Sequence, residues 1–388
     1  MMNSAWGHII ILLLITISPI IAQEESDPQW SMRGYLSNML TTDFSGDDIT
    51  FDNQLHNRLN FQWFPKGNFT FYLDIRTRLL AGNTVKNFPG LGDLLDFNND
   101  YLDMSIHFPK NKSWLVHSMI DRAYMEWYKG DWEIRLGRQR INWGINTIWN
   151  PNDLFNAYSY FDFDYVERPG SDALRLTWYT CTNSSVEFAS NFRDNFDELT
   201  FATLYKSSLG SYDVQLLGAK AGNDIVLGTG WAGNLGNAGF KGEFSYFIPT
   251  KDNGPKDALL ATIAFDYAFK NSLYLNLSVL FNSDGSSDSQ NNPLLLATSG
   301  LLTARYLSPY EWSTFVSGSF QFHPLFRGGL AFIYFPGISN ALFINPSFDY
   351  SLYEDVDISL ISQLFYDKVS NDYQALARLV YIRVKWSF

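Results

Sequence analysis

The sequence predicts an all-β protein, a transmembrane antiparallel β-barrel of about eighteen strands. Three observations predict this fold class. Apolar and polar residues alternate along many segments, aromatic residues make up 17% of the chain, and short connections alternate with long ones. A barrel strand tilted by about 45° crosses a bilayer in about 9–11 residues, with one face in lipid and the other facing the lumen.

The N-terminal segment predicts export. Residues 9–21 are almost entirely apolar, and the small residue Ala22 follows them. This run is too short for a comfortable transmembrane helix and has the layout of a signal peptide, although no Lys or Arg precedes it. We therefore expect a signal peptide over residues 1–22 and a single barrel domain over residues 23–388. A buried core helix is the alternative for the apolar run.

Alternation is clearest in two adjacent segments. In "QLHNRLNFQW", residues 54–63, the large apolar residues fall on one face and His, Arg and Gln on the other. After the turn "PKGN", the segment "FTFYLDIRTRLL" repeats this pattern over residues 69–80. Glycine dilutes it between 198 and 232, so sixteen strands is the alternative count. The other predicted strands lie near 30–41, 119–129, 132–140, 171–180, 185–192, 198–206, 211–221, 224–232, 238–248, 258–268, 272–282, 312–322, 326–335, 341–351, 356–366 and 373–388.

The lengths of the connections support the same fold. Every second connection is a tight turn, from "PKGN" and "KGD" to "YEDVD". The others include the three longest, at about 81–118, 141–170 and 283–311. We therefore expect short periplasmic turns at one end and long extracellular loops at the other. A soluble β-sandwich has no physical reason to sort its connections in this way.

The C-terminal segment "LVYIRVKWSF" alternates up to the last residue, Phe388. An aromatic-rich final strand that ends in Phe resembles the recognition signal of Gram-negative outer-membrane barrels. The resemblance implies the barrel-assembly machinery as a partner of this strand. We therefore expect the protein in the Gram-negative cell outer membrane, in contact with lipid and lipopolysaccharide.

Charge and reactive side chains argue against several classes of function. The net charge of −12 disfavours a nucleic-acid binder, whose surface would carry an excess of Lys and Arg. Cys181 is the only cysteine, and no base lies near it in the sequence. The histidines His56, His107, His117 and His323 are widely spread, and the chain has no HExxH or Gly-x-Ser-x-Gly motif. We expect no catalytic residues, no metal ion and no cofactor.

Charged residues fall on the polar face of the predicted strands. Because an Arg or Lys that faces lipid at mid-depth costs about 2–4 kcal/mol, we expect these residues to face the lumen. Arginines opposed by carboxylates create a transverse field that orients polar solutes. The alternative is that the charges only pair with one another and fill the barrel. The predicted pore-lining residues are Arg76, Arg78, Arg122, Glu126, Glu133, Arg135, Arg138, Arg140 and Arg175.

The segment "LGRQRINWGINTIWNPNDLFN" begins in a strand whose apolar face would point into lipid. Strict alternation would place Arg138 and Arg140 on that same face. We therefore predict a β-bulge at Gly137 that turns both arginines into the lumen. Beyond them, the connection at about 141–170 would fold inward. Two residues would pack this loop against the wall: Trp143 and Trp149.

The run "RLGRQRINWG", residues 135–144, followed by "WNPNDLF", resembles the strand-to-loop corner of porin-like barrels of Gram-negative bacteria, among them the alginate-export-like family. The resemblance implies a monomeric or trimeric barrel whose loops narrow a pore. Together with the lumen charges, it leads us to expect a channel that passes small hydrophilic solutes, anionic ones included, through an Arg-rich constriction. The alternatives are a closed barrel that acts as a surface adhesin or assembly scaffold, and an outer-membrane enzyme.

Overall fold

Nineteen antiparallel strands form one sheet in a computed structural model of the chain. Eighteen of them close into a barrel, because the first strand pairs with both the second and the last. The expected signal peptide, residues 1–22, lies outside the described residues. These are 29–96, 100–109, 113–164, 167–251, 254–285, 302–337, 340–369 and 372–388.

The strands follow the chain in order around the barrel. No helix in the described ranges has both the length and the apolar character needed to cross a bilayer. Two short helices lie in one connection, α1 (Asn83–Asn87) and α2 (Leu91–Leu95). The strands are β1 (Trp30–Asp43), β2 (Thr50–Trp63), β3 (Phe69–Gly82), β4 (Ser105–Phe108), β5 (Trp114–Lys129), β6 (Trp132–Gln139), β7 (Ser171–Cys181), β8 (Ser184–Asn191), β9 (Thr200–Leu209), β10 (Tyr212–Ala221), β11 (Asp224–Leu235), β12 (Ala238–Pro249), β13 (Ala258–Ala268), β14 (Leu273–Asn282), β15 (Trp312–His323), β16 (Phe326–Phe335), β17 (Ala341–Tyr353), β18 (Val356–Val369) and β19 (Asp372–Ser387).

The predicted fold class and the count of eighteen barrel strands are confirmed. The region of weak alternation forms three complete strands, β9, β10 and β11, which pair in unbroken register. Backbone hydrogen bonds hold such strands together whatever their side chains are, so glycine weakens the sequence pattern without removing the strand.

The two ends of the barrel differ in the length of their connections. At the short-turn end, two-residue turns join β5 to β6 and β9 to β10. Gly130 and Gly210 take positive φ values of 58° and 64° there, a backbone conformation that hairpin turns need and glycine adopts without strain. The long-loop end carries the connections at 83–113, 140–170 and 283–311. The parity of connection lengths expected from the sequence is therefore present.

The outer face of the wall is apolar and rich in aromatic rings. Trp132 on β6 stacks on Trp178 of β7 with ring centroids 5.6 Å apart, and both are exposed. Trp63 stacks on Phe71 in the same way at 5.1 Å. Alternation along each strand sends the polar side chains of these strands to the interior, as a lipid-facing wall requires.

One part of the wall was not expected from the sequence. β6 has 8 residues, whereas its neighbour β5 has 16, so β6 covers only one half of β5. The four residues of β4 pair with the other half, between Val116 and Met119. β4 therefore completes the wall where β6 ends. The register of β3 and β5 shifts between Asp74 and Ile75, which leaves Asp121 as the extra residue of a β-bulge.

Candidate functional site

The connection between β6 and β7 lies inside the barrel; its described residues, 140–164 and 167–170, are called the inner loop below. Its contacts follow the inner wall. The Asn146 side chain donates to Thr262 Oγ1 on β13 at 3.0 Å. Gln363 on β18 donates to the Phe161 carbonyl at 2.8 Å. The inner loop therefore crosses from one side of the lumen to the other.

Glu243 on β12 binds the main chain of the inner loop. Its Oε1 accepts hydrogen bonds from the N–H groups of Ile145 at 2.5 Å and Asn146 at 3.0 Å, and its Oε2 accepts one from Asn152 at 3.0 Å. Ser245, two residues along the strand, donates to the Pro151 carbonyl at 2.9 Å. These bonds attach residues 145–152 to β12.

Glycine makes room for this attachment on the neighbouring strand. A Cβ atom at Gly228 would lie 2.5 Å from Asn152 Oδ1, and one at Gly230 would lie 2.9 Å from Ile145 Cδ1. Both distances are too short for a side chain, so β11 needs glycine where the inner loop approaches it. The glycines that weaken the strand pattern in the sequence therefore serve the loop.

Trp143 and Trp149 pack the inner loop against the wall. Trp143 is 2% exposed, lies edge-on to Phe155 at 5.2 Å and donates its Nε1–H to Glu187 at 3.0 Å. Trp149 is buried in an apolar cluster that includes Phe247 of β12. Each indole fills apolar space between the loop and the wall, and the Nε1–H group of Trp143 has a hydrogen-bond acceptor in Glu187.

On the opposite side of the lumen, Asp164 attaches the loop to strands β2 and β19. Its carboxylate accepts hydrogen bonds from Gln54 at 2.5 Å and His56 at 3.0 Å, and lies 3.6 Å from Arg383. Burial alone would raise the pKa of the Asp164 carboxyl, but the hydrogen bond and charge of His56 and the charge of Arg383 bring it below its usual value. Asp164 therefore stays ionised.

Arg140 lies within the inner loop, since β6 has ended at Gln139. It is close enough to the buried Asp153 to lower the pKa of that carboxyl, but burial is the larger effect and raises the pKa to about 7. The guanidinium of Arg168 lies 2.9 Å from the centroid of the Tyr158 ring. Charged groups therefore occur within the loop as well as on the wall.

Three of the arginines on β2, β3 and β5 are buried beneath the loop. Arg58 and Arg76 both contact the carboxylate of Asp121, the bulged residue of β5. Arg122 donates to the main-chain carbonyls of Glu167 at 2.8 Å and of Arg168 at 2.7 Å. Arg76 and Arg122 are 5% and 7% exposed. Arg76 pairs within the wall, and Arg122 joins the wall to the end of the loop.

Nearer the short-turn end, the arginines are more accessible. The Arg135 side chain is 26% exposed and lies 2.6 Å from Glu126 and 2.8 Å from Glu133. Arg175 is 17% exposed and lies 2.8 Å from Glu187. Each cation thus has a carboxylate beside it while part of its surface faces the lumen.

A cavity of about 270 Å³ lies between the loop and the inner wall here. Lys206 lines it, and its Nζ lies 2.8 Å from Glu187. The side chains of Asp213 and Gln215 also line the cavity, and Gln215 donates to the Trp143 carbonyl at 3.0 Å. Neither Lys206 nor Glu187 could be predicted from the sequence, because each is a single charge in a strand of mixed composition.

Histidine–carboxylate pairs occur near the long-loop end. His107 lies 2.9 Å from Asp96, and His117 on β5 lies 3.3 Å from the same carboxylate. Arg78 Nη2 lies 3.2 Å from His117 Nδ1 on the neighbouring strand. No group of three or more His, Cys, Asp or Glu side chains in the described residues is arranged to hold a metal ion. In the described residues, His107 thus contacts a carboxylate, and His117 contacts a carboxylate and Arg78.

The bulge predicted at Gly137 is absent. β6 pairs with β5 and β7 in continuous register through Arg138, which therefore keeps the lipid-facing phase of Trp132. Gly137 has a φ of 119°, and a Cβ atom there would lie 2.3 Å from the Ala123 carbonyl oxygen. The glycine is needed for close approach of two strands, not for a change of register, and the inward turn predicted for Arg138 is wrong.

The charge of Arg138 is compensated within the wall. Its guanidinium donates to Asp172 at 2.8 and 3.0 Å and to the carbonyls of Leu102 at 2.5 Å and Ile120 at 3.3 Å. Asp172 is the directly opposite residue on β7, and Arg138 is 3% exposed. These contacts join β6 and β7 to the segment that leads into β4. Residues of a connection distant in sequence therefore shield Arg138 from lipid.

Comparisons with known proteins find the fold but no close sequence relative. No protein family model and no curated protein matches the chain. Acinetobacter baumannii OccAB4 superposes with a TM-score of 0.58 at 10% identity, over 94% of this chain and 100% of that chain. A BenF-like porin from Pseudomonas fluorescens gives 0.58 at 10% identity, over 92% and 98%. The chain has the fold of an outer-membrane porin.

Another solved barrel with this porin fold contains a ligand. Pseudomonas aeruginosa OccK2 (OpdF), determined in complex with glucuronate, superposes with a TM-score of 0.57 at 11% identity, over 92% of this chain and 97% of that chain. At 11% identity, the comparison shows a shared backbone fold and does not show shared side chains in the lumen.

Proposed function

We propose that this chain is an outer-membrane porin through which small hydrophilic solutes diffuse, with a preference for solutes that carry an anionic group. The observation that carries the proposal is the inner loop. It crosses the lumen of a porin-like barrel and meets a group of arginines on one side of it. A loop in this position narrows an aqueous passage, and the arginines place guanidinium donors for anionic groups along one wall of that passage.

The uneven distribution of charge supports the preference for anions. At the level of the inner loop, arginines come from β2, β3, β5 and β19, as the contacts of Arg58, Arg122 and Arg383 illustrate. The inner faces of β13 and β14 present neutral groups there, Thr262 and Asn276. A solute with a carboxylate at one end would be oriented by this field. The glucuronate bound in OccK2 is a solute of that kind.

The residues predicted to line the pore divide into four groups. Arg78, Arg135, Arg140 and Arg175 are the arginines we assign to the passage, because each is only partly buried. Glu126 and Glu133 orient Arg135. Arg76 and Arg122 act indirectly, by holding the loop and the wall in place. Arg138 belongs to the outer wall and is not part of this assignment.

Liposome swelling with matched sugars tests the proposal. Glucuronate, glucose and glucosamine have similar size and carry a negative, no and a positive charge, so their rates separate charge from size. We expect glucuronate to enter fastest and its advantage to fall in Arg78→Ala. Arg378→Ala is the matched control, since Arg378 is exposed on the outer face of β19. Equal rates for the three sugars would contradict the anionic preference, and no swelling at all would contradict the porin function.

A closed barrel with an adhesive or scaffolding role is the second candidate. The observation in its favour is that Arg58, Arg76 and Arg122 are ion-paired or hydrogen-bonded beneath the inner loop, which fills part of the lumen. A closed barrel would be impermeable to glucose as well as to glucuronate. The same swelling experiment therefore separates the two functions.

A further inference from the structure

Glu243 is a carboxylate whose contacts lie in the inner loop. It is 0% exposed. In the described part of the chain, its hydrogen bonds come from the main-chain N–H groups of Ile145, Asn146 and Asn152. A buried charge is unfavourable unless several donors converge on it. The burial of Glu243 thus depends on the loop, and the position of the loop depends on Glu243.

The three bonds attach two separate points of one loop segment. Ile145 and Asn146 are consecutive, whereas Asn152 lies six residues further on. Oε1 accepts from the first point and Oε2 from the second. One carboxylate therefore closes residues 145–152 into a turn and fixes that turn to β12.

We propose that Glu243 is the positioning residue of the channel, whose carboxylate sets how far residues 145–152 extend from the wall into the lumen. The width of the passage follows from that distance. Ser245 and Thr262 add neutral hydrogen bonds to the same segment, which orient it on the wall. This inference rests on the proposed porin function and names the residue that controls its constriction.

Glu243→Gln is the decisive variant, and Asp266→Asn is its matched control. Glutamine has nearly the same shape, but its amide nitrogen would face N–H donors, so at least one of the three bonds is lost. Asp266 lies on the adjacent strand β13 and pairs with Lys241 at 3.2 Å. In planar bilayers we expect a larger single-channel conductance for Glu243→Gln and an unchanged one for Asp266→Asn. Equal conductance in both variants would overturn the proposal.

Hydrogen exchange gives a readout that does not depend on conduction. In Glu243→Gln, each of the Ile145, Asn146 and Asn152 amides that loses its acceptor should exchange faster by about fivefold or more, since a hydrogen bond contributes about the free energy of a factor of five. Should the wild type fail to conduct, the porin function would be wrong, yet this difference in exchange would still be expected. Unchanged exchange would overturn the role of Glu243 itself.

A reversible crosslink separates loop position from general damage to the barrel. Ser245 Oγ lies 2.7 Å from Asn152 Oδ1, so Ser245→Cys with Asn152→Cys should form a disulfide after Cys181→Ser removes the native thiol. In the Glu243→Gln background, oxidation should return the conductance to the wild-type value and reduction should raise it again. If the variant folds only with the disulfide formed, the disulfide can be reduced after the barrel has been inserted into the bilayer. Equal conductance in the oxidised and the reduced forms would overturn the proposal.

Discussion

Asp172→Asn should destabilise the barrel through Arg138, a residue on the outer face of the wall. Asp172 accepts two hydrogen bonds from the Arg138 guanidinium, at 2.8 and 3.0 Å, and both side chains are buried. Asparagine keeps one acceptor but removes the negative charge. Arg138 would then keep only the more distant carboxylate of Asp100, at 3.7 Å, among its carboxylate contacts in the described residues, and would be a poorly compensated cation in the lipid-facing phase of β6.

The magnitude follows from the contacts that remain. Removing one partner of a buried ion pair costs about 3–5 kcal/mol, and an arginine facing lipid costs about 2–4 kcal/mol at mid-depth. Because Arg138 keeps its bonds to the carbonyls of Leu102 and Ile120, we expect the lower end, about 2–3 kcal/mol. The double variant Arg138→Met with Asp172→Asn removes both charges of this pair, so it should lose less than the two single changes combined, by about 2–3 kcal/mol.

Urea unfolding of the barrel in lipid vesicles, followed by tryptophan fluorescence, measures these free energies. The four proteins of the cycle are the wild type, Asp172→Asn, Arg138→Met and the double variant. Strictly additive losses, or a loss below about 1 kcal/mol for Asp172→Asn, would refute the account of Arg138 as a charge neutralised within the wall.

Two further changes test local geometry and charge. Gly137→Ala should cost about 1–3 kcal/mol in the same unfolding assay, because alanine must take a φ of 119° with its Cβ against a main-chain oxygen; Gly218→Ala, which meets open space, should cost less than about 1 kcal/mol. The pKa of Asp164 is lowered in the folded protein. Its contribution to the stability of the inner loop is therefore complete above the usual carboxyl pKa of about 4, and it is lost as the pH falls through the lowered pKa. The amides of residues 161–164 should therefore lose protection against hydrogen exchange in acid. Asp164→Asn should leave them weakly protected at neutral pH, with no such acid dependence; wild-type amides at 161–164 that stay fully protected in acid would speak against this assignment.

The wall of the barrel could be predicted from the sequence because one physical contrast acts along every strand. Lipid on one side and water on the other impose a side-chain period of two, and the alternation over residues 54–63 and 69–80 reports it directly. The same rule explains the failure at Arg138. Alternation correctly places Arg138 on the outer face of β6. We predicted a bulge because we assumed that every residue on the outer face contacts lipid, whereas Arg138 is covered by protein.

What the sequence could not provide are contacts between distant segments. β4 completes the wall only because β6 is short, and no local pattern in residues 105–108 predicts the pairing of β4 with β5. Glu243 binds main-chain N–H groups about ninety residues away in the chain, and such groups have no sequence signature. Asp164 likewise depends on His56 and Arg383. The attachments of the inner loop therefore required coordinates, whereas Trp143 and Trp149 could be named from the sequence as apolar residues of the loop.

The zero-current potential of single wild-type channels under a tenfold gradient of KCl tests the central claim most directly. The account predicts a conducting barrel with a potential of the sign that chloride selectivity produces. Arg78 should contribute about a twofold preference, since a unit charge at about 8 Å in water is worth about 0.5 kcal/mol. A barrel that does not conduct, or one that selects potassium and is unaffected by Arg78→Ala, would contradict it.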